Sequence, residues 1–136
     1  MATNNTFISF YMKKYTFRIS TRAIRVLDNP VYVRFLINPD KNLMAMESYD
    51  KKELTSFRIR RSILEDSKYH SFKIASKKLC TLLARRMNWK TDRSYRIPGK
   101  IHPEKKIVIY RLEEAKEIPE KAVKNNDGTI QEQSVL

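Results

Sequence analysis

The sequence predicts an α+β fold built from two copies of one β-α-β-β unit, and three observations lead there. The segments Ile37 to Met46 and Ile101 to Tyr110 share one order: an apolar run, a turn of the form X-Pro-acid-Lys, and a second apolar run. Upstream of each, Phe17-Arg18-Ile19-Ser20 and Phe72-Lys73-Ile74-Ala75 repeat a Phe-basic-Ile strand. Between strand and hairpin, each copy carries a helix signal.

Repeat one spans about residues 15–49. Its strand leads into a short helix over about Thr21 to Asp28, which Ser20 is placed to cap by accepting an orphan backbone N–H. The helix stops before Asn29-Pro30, because the residue ahead of a proline is pushed out of the helical region. In the hairpin that follows, Pro39 presets φ for the second turn position, with Asn38 before it and Asp40-Lys41 after. Met44 and Met46 alternate with Ala45, so they share one face and fill the core. A connecting strand follows over about residues 56–61, where Ser-Phe-Arg-Ile-Arg-Arg alternates apolar and basic residues.

Repeat two spans about residues 70–112. Ser76 is the expected cap of a longer helix, about Ser76 to Trp89, whose Leu79, Leu82, Leu83 and Met87 fall on one stripe. The second hairpin turns at Pro103, and Pro98-Gly99 reads as an interruption of the strand ahead of it. The offset between copies is 55 at the Phe-basic-Ile strands and 64 at the hairpins. A longer second helix and loop absorb the difference. Residues 1–118 are thus expected to form a single basic domain. Residues 119–136, rich in Glu, Lys, Asn and Gln, bury too little to offset their ordering entropy and are expected to be a disordered acidic tail.

The chain has 28 Lys+Arg against 15 Asp+Glu, a net charge of +13, and its 41% hydrophobic content supports a core. Such an imbalance concentrates polyanions around a protein, and nucleic acid is the commonest of these. A single cysteine gives no sign of an oxidising compartment. There is no leader pattern and no run of 18 apolar residues. A cytoplasmic protein without membrane contact is expected.

No constellation for catalysis stands out, so no enzyme, metal or cofactor is expected. The two glycines, Gly99 and Gly128, cannot make a phosphate loop. His70 and His102 lack metal-ligand spacing to Cys80, which sits in the predicted helix as a buried structural thiol. The adjacent carboxylates Glu65 and Asp66 face different ways and read as a solvated loop.

Binding chemistry is better represented. The basic clusters are Arg18, Arg22 and Arg25; Arg58, Arg60 and Arg61; Lys73, Lys77 and Lys78; and Arg85, Arg86, Lys90 and Arg93. As a set they point to phosphate contacts. Tyr11, Tyr15, Tyr69, Tyr95 and Trp89 lie near them and read as packing residues rather than base-stacking ones.

The run Thr16 to Leu27, followed by Val31 to Ile37 and Asn42 to Ser48, resembles the swapped-hairpin DNA-binding family of AbrB, SpoVT and MraZ proteins. The second copy matches more loosely, and the likeness covers about residues 15–112. It implies two units interleaved in one barrel within a single chain, with Arg22 and Arg25, and in the second copy Lys77 and Lys78, at the DNA-facing strand-helix junctions. Its expected role is that of a nucleic-acid-binding regulatory protein, first of all a DNA-binding factor of the AbrB kind, with DNA or RNA as partner. The alternative is a mobile-element inhibitor of the anti-CRISPR kind, whose basic face occupies a nuclease or another nucleoprotein. Exposed hairpin edges are compatible with a homodimer.

Overall fold

A computed structural model describes residues 5–52, 56–65 and 70–119. Asp66, Tyr69 and all of the expected tail but Pro119 lie outside the described residues.

The chain forms β1 (Asn5–Tyr11), β2 (Thr16–Ser20), α1 (Thr21–Val26), β3 (Tyr32–Asn38), β4 (Leu43–Tyr49), β5 (Ser56–Arg58) and α2 (Arg61–Glu65). It continues with β6 (Ser71–Ala75), α3 (Lys77–Met87), β7 (Ser94–His102), β8 (Ile107–Arg111) and β9 (Lys116–Ile118). The strands pair antiparallel in the order β5-β3-β4-β8-β7-β1-β2-β6, with β9 added on β7. This α+β sheet curls into a nearly closed barrel. Its far ends meet through aromatic rings, with Phe17 of β2 lying 5.4 Å from Phe35 of β3 and 5.7 Å from Phe57 of β5.

Alternation decides what fills the barrel. Ile8, Phe10, Phe17, Ile19, Met44, Met46, Ile97, Ile101, Val108 and Tyr110 all point inward and are fully buried. The two methionines share the inner face, as their spacing predicts. Because β2 and β6 run antiparallel and each leads into a helix, α1 and α3 close opposite ends of the barrel. Ser20 caps α1 by accepting the Arg22 N–H at 3.1 Å, and Ser76 caps α3 by accepting the Leu79 N–H at 3.2 Å. Helix α1 is two residues shorter than expected, since Asp28 and Asn29 both take positive φ and end it. No helix among the described residues is long and apolar enough to cross a membrane.

Two expectations need correction, and one strand lies outside the expected pattern. The connecting strand ends at Arg58, and Arg61 begins α2. Its partner β3 offers the ladder only Tyr32 to Arg34, after which the Ile59 N–H donates to the Val31 carbonyl at 2.8 Å and the next residue back, Pro30, has no N–H to give. Pro98-Gly99 does not interrupt β7. On that edge β9 pairs with Ser94 to Arg96 and β8 with Gly99 to His102, so Pro98 sits in the gap between partners. Gly99 is required by close approach: a Cβ there would lie 2.4 Å from the Tyr110 ring. Finally β1, which the repeat pattern does not contain, stands inside the sheet between β7 and β2.

Candidate functional site

The outer face of β7, β1, β2 and β6 carries side chains opposite in phase to the core. Cross-strand register aligns Lys116 with Arg96, Arg96 with Ser9, Ser9 with Arg18, and Arg18 with Lys73. Four cations and one serine thus form a single row across five strands, roughly 19 Å long at the usual strand spacing. Like charges directly opposite each other on a sheet are destabilising. The row holds two such pairs, Lys116 with Arg96 and Arg18 with Lys73.

An open depression of about 450 Å³ lies along this row, lined in part by Phe7, Ser9, Tyr11, Arg18, Arg22 and Arg96. His70 and Ser71 close one side, and no carboxylate is among the described residues that line it. Small Ser9 makes the floor low between two arginines. The guanidinium groups are oriented by neutral partners. Arg18 donates to Ser71 Oγ at 3.3 Å, Arg96 reaches Ser9 Oγ at 3.5 Å, and Arg22 donates to the Asn5 carbonyl. For Arg18 and Arg96, a hydroxyl acceptor steadies the guanidinium without cancelling its charge, which suits it to an anionic ligand.

Elsewhere the arginines do other work. Arg34 is paired with Glu47, and Arg93 with Glu117 at 3.1 Å. Arg25 places Nε and Nη2 on the Leu64 carbonyl at 3.1 and 2.9 Å, tying α1 to α2. Arg86 donates to the Pro39 carbonyl and, at 2.8 Å, to Asn42 Oδ1, holding α3 against the first hairpin. With Arg85 it borders a separate groove formed by Ile37, Pro39 and Leu82.

Of the residues expected to bind nucleic acid, the structure therefore brings Arg18, Arg22 and Lys73 to one face. Arg58, Arg60 and Arg61 are exposed around β5 and the start of α2. Lys77 and Lys78 open α3, where Lys77 lies 5.4 Å from the Tyr15 ring centroid. Lys90 follows α3, where its backbone N–H donates to the Tyr95 hydroxyl at 2.9 Å. Sequence reasoning missed Arg96 and Lys116, and also Phe7, which is 53% exposed beside Arg96. The signal for Arg96 was its place between Tyr95 and Ile97, an outward residue in an alternating strand.

The remaining chemistry is unremarkable. Cys80 is fully buried with Sγ 3.9 Å from the Thr16 carbonyl, and burial pushes its thiol from 9.0 up to about 12. No group of three metal-ligating side chains comes together among the described residues. His102 Nδ1 lies 3.9 Å from Glu104, and Glu65 is exposed at the end of α2. Tyr95 stacks on Trp89 at 4.5 Å, a packing role, whereas half-buried Tyr11 lines the depression. No family model, curated protein or solved structure matches the chain.

Proposed function

We propose that this chain is a nucleic-acid-binding protein that lays a sugar–phosphate backbone along the row Lys116, Arg96, Ser9, Arg18 and Lys73. The row itself carries the reading, because it sets four cations in register on one surface, with serine hydroxyls orienting its two arginines. Phosphate oxygens accept from such donors in any sequence context, so affinity would be strongly salt-dependent. The role that fits is a regulatory one, exerted by occupying DNA or RNA.

The same reading takes the barrel as two interleaved copies of one unit, similar to the swapped-hairpin DNA-binding family. Strand register supports it. Arg18 faces Lys73, its equivalent 55 positions on, and Phe17 and Ile19 face Ile74 and Phe72 symmetrically about that pair. Ala45 faces Ile109, its equivalent 64 positions on, with Met44 and Met46 facing Tyr110 and Val108. Both ladders therefore cross at matching residues, as an internal two-fold axis requires. Within this arrangement Arg22 borders the row, while Arg25 is occupied with Leu64 and is assigned to stability.

Mobility-shift titration of labelled duplex DNA, single-stranded DNA and RNA at about 150 mM salt tests the proposal. A shift with at least one polynucleotide, weakening steeply as salt rises, is expected. No shift with any of them would overturn it and favour a protein target.

A further inference from the structure

We infer that the preferred ligand is a single-stranded polynucleotide, with a base stacked on Phe7. The inference rests on the nucleic-acid reading above and narrows it to a substrate class. Phe7 projects from the outer face of β1, more than half exposed, with the Arg96 guanidinium 5.6 Å from its ring centroid. Tyr11 projects from the same side of the same strand, about 13 Å further along at ordinary strand rise. Between them Ser9 lies low, flanked by Arg18 and Arg96. Along β1 the surface thus alternates ring, cationic row, ring.

That pattern matches a flexible strand better than a duplex. Bases of a single strand splay out and stack on aromatic side chains while a positive groove follows the backbone. In a duplex those base faces are already stacked on one another. Nor can this surface read a duplex by insertion. The four strands β7, β1, β2 and β6 are about 14 Å wide, whereas the major groove is about 12 Å wide and admits one helix or a two-stranded ribbon.

The test is fluorescence anisotropy of labelled dT12, U12 and a 12-base-pair duplex with the intact chain, its Phe7→Leu variant and its Phe7→Tyr variant. Single strands should bind at least about tenfold more tightly than the duplex. Phe7→Leu should weaken single-strand binding about 5- to 150-fold, the range of one lost base stack, and Phe7→Tyr should retain it. A difference between dT12 and U12 would tell DNA from RNA within the same ligand class. Equal affinity for single strands and duplex, with no change in Phe7→Leu, would overturn this inference and leave nucleic-acid binding standing. Failure to bind any of the three would overturn both.

Discussion

Arg18 on β2 stands directly across the ladder from Lys73 on β6, cation opposite cation. Neither side chain is in an ion pair among the described residues, and Lys73 is exposed. The fold thus keeps a small electrostatic cost where an anion would remove it. Lys73→Glu should therefore raise stability by about 0.2–1 kcal/mol in low salt, as repulsion becomes attraction. The same change should weaken polynucleotide binding. Urea denaturation alongside anisotropy checks both signs, and a variant that lost stability would contradict the repulsive pairing.

Salt dependence gives the number of contacts. If the four cations of the row each meet one phosphate, the logarithm of affinity for a single strand should fall against the logarithm of salt with a slope of about −3. Arg96→Ala should make that slope shallower by about 0.7. Arg25→Ala, whose guanidinium is held by the Leu64 carbonyl, should leave the slope as it is and lower stability instead.

Gly99 and Tyr110 should be coupled. An alanine methyl at 99 would meet the Tyr110 ring at 2.4 Å, so Gly99→Ala should cost about 1–3 kcal/mol through overpacking. In a Tyr110→Leu background the cost of the same change should shrink. A double-mutant cycle by chemical denaturation reads the coupling, and identical costs in both backgrounds would rule out the ring contact as the cause.

Cys80 should be chemically quiet and alkaline-sensitive. Burial holds its thiol protonated up to about pH 12, whereas the unfolded chain ionises near 9. Since the folded value is the higher one, the unfolded state loses its proton first. The stabilisation is complete below pH 9 and is lost as pH rises toward 12. Tyr110, whose phenol burial also pushes upward from 10.0, adds to the same fall. Cys80→Ala should flatten the pH dependence of stability above 9, and the native thiol should react slowly with Ellman's reagent until denaturant is added.

Much of the fold was legible because its signals are local. Ser20 and Ser76 cap the helices they precede, and the Asn38-Pro39 and His102-Pro103 turns join the strands they separate. What escaped depends on distant partners. In β1 the run Phe7 to Met12 is nearly continuous in apolar residues, so alternation does not show which side of Phe7 and Tyr11 meets solvent. Only pairing with β7 and β2 settles that. The site was half legible for the same reason. Arg18 and Lys73 stood out in repeated strands, but Arg96 and Lys116 join them only through register across β1, β7 and β9. Composition likewise could not separate Arg18 from Arg25 or Arg86, whose guanidinium groups bind backbone carbonyls.

The most direct measurement compares two variants of equal net charge for binding to labelled single strands. One reverses the row at Arg18→Glu and Arg96→Glu; the other reverses two exposed lysines at the hairpin tips, Lys41→Glu and Lys105→Glu. If the row is the binding surface, the first variant loses affinity by roughly tenfold or more while the second stays close to the parent. Equal losses in the two variants would mean that overall charge, and not this face, attracts nucleic acid.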